Sequence, residues 1–168
     1  MKTKILITAI AIWGITSVCY SQDYSNLKDI VLKDKADYPK VDNQILECAK
    51  YILNTPMDDK NLNRFYSLQF MMRWMQGTPD YTFNIDETIG NIIKSNESLL
   101  GVYLACMANY MLENKVKAKD EKEVKYNSIL LLINYCEASK NNVDMSSELK
   151  IMIKAKNENT LKEYLKLQ

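Results

Sequence analysis

Few side chains in this chain can do acid–base or covalent chemistry. There is no histidine among its 168 residues. That removes a Ser–His–Asp triad, a Cys–His dyad, a His-ligated zinc and imidazole acid–base work. Carboxylate pairs remain, because glycoside hydrolysis needs only two acids flanking a bond. The candidates are Asp58 with Asp59, Asp80, and Asp86 with Glu87. Each lies beside a helix start or a turn, so capping and dipole complementation account for the same residue types.

Sulfur is the second resource. Met71, Met72 and Met75 share one helical stretch, and Met107 and Met111 share another, beside Cys106. Thioether and thiolate ligands suit Cu(I). Methionine at helical spacing is first of all an adaptable core filler, and no metal or cofactor is assigned. Beyond Cys19 the cysteines are Cys48, Cys106 and Cys136. An odd number cannot close into a disulfide framework. Each sits in an apolar helical pattern and reads as a buried hydrophobe. One bridge plus one free thiol is the alternative in an oxidising compartment. There is no CxxC pair, glycine-rich phosphate loop or dinucleotide fingerprint.

The two arginines, Arg64 and Arg73, stand nine apart on one helix and so point to opposite sides, which rules out a shared anion clamp. All but Tyr20 of the 11 tyrosines follow the leader. Tyrosine joins contact area to a polar tip and is enriched at interfaces. Tyr103 reads as core; a groove lined by others would suit a peptide or glycan. The stretch "KVKAKDEKEVK" is mixed in sign and reads as a solvated loop and helix start.

The elements that must position these groups are helical. With 4 Gly and 3 Pro, the chain is poor in the turns a β-sandwich needs. Residues 22–40 form an N-terminal segment with a short helix carrying Leu27, Ile30 and Val31, capped by Ser25. The helical domain spans 41–168. Ile45, Cys48, Ala49 and Ile52 mark a helix near 42–54, stopped by Pro56. From 59 to 76, Leu62, Phe65, Leu68, Met72 and Met75 make one stripe and Tyr66, Phe70 and Trp74 a second, so this helix is expected to be wrapped by neighbours. A short helix with Ile89, Ile92 and Ile93 follows, capped by Asn84 or Asp86. The helix opened by Asn96 is apolar all round, with a small strip at Gly101, Ala105 and Ala108 for close helix approach. Asp120 and Glu123 form a capping box for the helix through "SILLLINYC". Two amphipathic helices close the chain, one on Leu149, Met152 and Ile153, the other starting at Thr160 with Glu163 and burying Leu161, Tyr164 and Leu165. The expected fold is all-α: a single domain of about six to seven helices, with 59–76, 96–113 and 121–138 central. Antiparallel hairpins arrange it as a bundle or a short solenoid-like stack.

Residues 1–21 read as a signal peptide. Lys2 and Lys4 precede an apolar run from Ile5 to Val18, and small residues lead to cleavage before Gln22. The run is short for a membrane span. An uncleaved anchor and a lipid anchor at Cys19 are the rival readings. Taking Lys2 and Lys4 from 22 basic residues leaves one fewer base than the 21 acids. No basic excess remains for a nucleic-acid partner. After removal of the leader, roughly 147 residues bury about 68–70% of the unfolded surface, enough for a real core. The expected location is the periplasm or the outside of the cell, with no stable membrane insertion after cleavage.

The stretch "WMQGTPDYTF" is the densest local signal. Gly77 stands where the helix ends and suits a left-handed cap. Thr78 precedes a proline and is expected to be extended, with Pro79–Asp80 as a turn. Tyr81 and Phe83 alternate, so an extended chain presses both rings back toward Trp74. Asp80 is expected to accept from nearby amides or to pair with Arg73. With "LLGVYLACMANYMLEN" after it, this run resembles a family of small uncharacterised secreted α-helical proteins of Bacteroidetes-type bacteria, over residues 62–114. The matching positions are Trp74, Met75, Gly77, Thr78, Pro79, Asp80, Tyr81 and Phe83. The resemblance implies a secreted helical domain and nothing about catalysis.

The sequence points to a non-enzymatic module binding an unknown protein or peptide partner, with Trp74, Gly77, Thr78, Pro79, Asp80, Tyr81 and Phe83 as the binding or structural motif. A small carboxylate-dependent hydrolase and a structural envelope protein are the alternatives. Two convergent acids in a concave pocket would favour the hydrolase.

Overall fold

Four helices lie side by side in the order α2, α1, α4, α5, and three short ones cover their ends and flanks. The computed structural model describes residues 23–167, so the leader expected over 1–21 lies outside the described residues. The α-helices are α1 Asp42–Asn54, α2 Leu62–Gly77, α3 Glu87–Ile93, α4 Leu99–Glu113, α5 Glu121–Glu137, α6 Ser147–Asn157 and α7 Leu161–Tyr164. No strand occurs among the described residues. The expected all-α single domain is therefore the fold, and its helices form a bundle.

The centre of the bundle is α4. Every residue from Val102 to Leu112 is buried, because α4 has α1 on one side and α5 on the other. Its small strip works as expected at Gly101. A β-carbon there would stand 2.9 Å from Leu68 Cδ2, so a larger residue would push the end of that α2 side chain aside. The second central helix is α1, not α2. The α1 stripe of Ile45, Cys48, Ala49 and Ile52 is buried as its spacing predicts. It packs against both α2 and α4, and Leu46, Tyr51 and Leu53 add partly buried flanks to the stripe. Ion pairs tie it to the end of α4: Asp42, its first residue, with Lys115 at 2.8 Å and Lys50 with Glu113 at 2.8 Å.

The wrapped α2 expected from the sequence is half wrong. Phe70, Met71 and Trp74 are buried, but Leu62 is 63%, Phe65 56% and Met72 39% exposed. Two apolar stripes need two neighbours, and α2, at the edge, has its main neighbour on one side only. Its arginines are anchors for other elements. Arg64 donates to the carbonyls of Ile52 at 2.6 Å and Thr55 at 3.0 Å, closing the C-terminus of α1 with a positive charge. Arg73 donates on the opposite side to Leu27 O at 2.6 Å and Ile30 O at 3.1 Å. Those bonds hold the N-terminal segment. There the chain forms short 3-10 turns rather than an α-helix: Val31 is 62% exposed, and Ser25 donates to Asp23 instead of capping.

Caps follow the sequence in part. Asp86 accepts from Ile89 N–H and Asp120 from Lys122 and Glu123 N–H, as expected. Glu123 does not complete a capping box; its carboxylate faces Lys117 at 3.4 Å and the Tyr110 hydroxyl. Thr160 does not cap with its side chain, which donates to Ala155 O. The helix expected from Asn96 begins three residues later, after a turn in which Leu99 N–H donates to Asn96 O. Leu149, Met152, Leu161 and Leu165 are buried as their spacing requires.

Candidate functional site

The Trp74–Phe83 motif is a helix end whose chain doubles back onto its own core. Trp74 is fully buried, with Tyr81 and Phe83 ring centroids 5.4 Å and 5.6 Å from its indole. The Phe83 contact is edge-on at 60°, a favoured aromatic geometry. This is the expected docking, and it places both rings on one side of an extended chain. The indole N–H is buried without a partner among the described residues, so Trp74 serves by volume and not by its donor.

Gly77 departs from expectation. It is the last residue of α2, and no glycine among the described residues has positive φ. The reason for glycine is crowding: a β-carbon would sit 1.9 Å from Tyr38 Oη and 2.3 Å from Tyr38 Cζ. The sequence carries no sign of this, since Tyr38 arrives from 39 residues upstream by tertiary packing. Thr78 is extended, with ψ 130, and its N–H donates to Trp74 O at 2.9 Å. The chain bends at Pro79–Asp80, where Asp80 N–H approaches Thr78 Oγ1 at 3.5 Å. Arg73 is committed to the N-terminal segment, so the expected Arg73–Asp80 pair is absent. Asp80 is exposed and makes no ion pair among the described residues. Tyr81 lies where the charges of Asp42 and Lys115 reach its hydroxyl; burial, with Asp42 adding to it, raises its pKa above the usual tyrosine value.

The motif segment has a hollow on each side. The larger, about 760 Å³, lies between residues 79–86 and the start of α5, with Tyr103, Met107 and Met111 of α4 as its floor. Volumes of this size belong to ligand grooves. The smaller, about 360 Å³, lies between Tyr81–Phe83 and Met72, Met75 and Leu104. The rim of the larger groove carries Asp80, Asp86 and Glu121 alongside Lys119, Lys122 and Lys125. Asp86 is paired with Lys125 at 2.5 Å. Burial pulls its carboxyl upward, but the Lys125 ammonium and the Ile89 N–H outweigh burial and leave it below its ordinary value. Asp86 is thus held ionised.

The floor contains the most telling group. Tyr103 is 1% exposed, and what it exposes opens into the groove. Burial raises its pKa strongly, and the nearby Asp86 charge adds to that. Its ring is held in the core while its edge reaches the groove. Tyr103 is in the core, as expected from the sequence, and it also faces a cavity. The lysine-rich start of α5, read in the sequence as a solvated loop and helix start, is the far wall of that cavity.

The cysteines complete the inventory. Cys48, Cys106 and Cys136 are free and buried, which decides against a bridge. Burial pushes the thiols of Cys48 and Cys136 up to about 12 and that of Cys106 well above its ordinary value. They are core side chains, not nucleophiles. Met71, Met107 and Met111 are buried as well, while Met72 lies on the exposed stripe of α2.

The fold and the groove define a class: an all-helical domain with a substantial cleft, walled by an irregular segment and floored by its central helix. Comparison with known proteins gives no match to a family model, a curated protein or a solved structure. Among the described residues, no helix is long and apolar enough to cross a membrane.

Proposed function

We propose that this chain is an exported helical binding protein that takes a peptide, free or as part of a protein, in the groove between residues 79–86 and α5. The observation that carries the reading is the groove itself: about 760 Å³, with a floor of two methionines and Tyr103. Methionine-lined surfaces adapt to several side chains, and few convergent polar groups set orientation. The motif then has a double role. Trp74, Tyr81 and Phe83 anchor the segment, and Asp80, Thr82 and Ile85 present it to the groove. The proposal keeps the chain with the exported helical proteins that its motif resembles.

A carboxylate-dependent hydrolase is the weaker reading. A general acid needs a raised pKa, whereas Asp86 is lowered by Lys125. The test is panning of a displayed library of random peptides, about seven residues long, against the purified protein, followed by titration of the selected peptide. Ile85 is 50% exposed at the groove, so Ile85→Asp should leave thermal stability unchanged and weaken the peptide about tenfold or more. Failure to select any peptide that binds below about 1 mM, or equal binding by Ile85→Asp, refutes the proposal.

A further inference from the structure

The wall of the groove has a feature that a packed loop lacks. None of the backbone N–H or C=O groups of residues 81 to 85 has a hydrogen-bond partner among the described residues. Pairing within the protein is the rule for buried backbone; this half-exposed run instead leaves its donors and acceptors open to water or to a ligand. The segment is extended where this can be read. Thr78 and Asp86, at its two ends, have β-type backbone angles, and Tyr81 and Phe83, two apart, both face Trp74. Thr82, Asn84 and Ile85 are exposed. A strand-like segment, fixed at both ends and by two rings, thus presents open main-chain donors and acceptors beside a ligand-sized groove. That is the arrangement of an unpaired sheet edge.

Resting on the peptide-binding reading above, we propose that the ligand is an extended peptide that pairs with residues 81–85 through its main chain, adding a strand to a protein that otherwise has none among its described residues. Five residues of strand span about 17 Å. Such pairing draws affinity from main-chain bonds and selectivity from alternate side chains. The side chains directed at the floor meet Met107, Met111 and Val124, so the ligand is apolar at those alternate positions. The Tyr103 hydroxyl, at that floor, donates to a ligand carbonyl. The three lysines and three acids on the rim balance, which favours a ligand recognised by its uncharged main chain.

The test is a backbone N-methylation scan of the peptide selected by panning, read by titration against the protein. Methylation removes one donor at a time. The expected result is alternation: about tenfold loss at every second position and little change between. Amide signals of residues 81–85 should gain protection from exchange in the complex. Tyr103→Phe, which keeps the ring, should weaken the peptide several-fold with an unchanged circular-dichroism spectrum. A selected peptide that is sensitive to Ile85→Asp, yet shows a flat scan or a three-to-four residue period, overturns the strand pairing and leaves groove binding standing. Absence of any selected peptide overturns both.

Discussion

Replacing Gly77 by alanine separates two reasons for a glycine at the end of α2. If Gly77 were a left-handed cap, alanine would cost about 1–2 kcal/mol whatever surrounds it. The structure gives it a helical place with Tyr38 overhead. The new β-carbon would lie 1.9, 2.3 and 2.7 Å from Tyr38 Oη, Cζ and Cε1, so the ring must swing off a core it packs against. Overpacking of this kind costs about 1–3 kcal/mol. Alanine in a helix recovers about 0.5–1 kcal/mol relative to glycine. The net is a loss of up to about 2.5 kcal/mol, or up to ~10 °C in Tm for a domain of this size. The sign reverses once the ring is gone: in a Tyr38→Ala background, Gly77→Ala should stabilise by about 0.5–1 kcal/mol. The assay is urea unfolding of the four proteins of the cycle, begun at Gln22 and followed by far-UV ellipticity and by the fluorescence of Trp74, then the only tryptophan. Equal destabilisation in both backgrounds would refute the crowding argument and restore the cap.

Three further outcomes follow from the same structure. Arg73→Gln removes a charged donor from the carbonyls of Leu27 and Ile30, so residues 23–31 should become sensitive to limited proteolysis, with a stability loss of about 1.5–3 kcal/mol. Cys48, Cys106 and Cys136 should all resist iodoacetamide at pH 8 in the native protein and react together on unfolding, as read by intact mass. On the alkaline side, burial raises Tyr24 and Tyr164 from 10.0 to about 12, with the Glu148 carboxylate adding to Tyr164. Their contribution is complete below pH 10 and is lost as pH climbs toward 12, so the unfolding midpoint in urea should fall over that window; Tyr164→Phe should flatten part of the fall.

Local patterning in the sequence was enough for most elements and for part of the motif. The α1 stripe, the Asp86 and Asp120 caps, the approach at Gly101 and the return of Tyr81 and Phe83 onto Trp74 all rest on periodicity, proline and short loops. Apart from Gly101, which meets Leu68 of α2, these are features of residues close in the chain, and their geometry follows from residue type and spacing. The same logic misjudged α2, because apolar spacing shows which faces could be covered and not how many neighbours exist to cover them.

By itself, then, the sequence determined an all-helical chain without imidazole chemistry and an aromatic corner after α2; that its three buried thiols are unpaired came from the structure. Only the tertiary structure decided that Tyr38 lies over Gly77, that Arg73 holds the N-terminal segment instead of Asp80, and that Tyr103, residues 81–85 and the start of α5 enclose one groove. Those pairings join residues about 20 to 46 positions apart. No local preference encodes them; they arise from the packing of α2, α4 and α5 around a shared core.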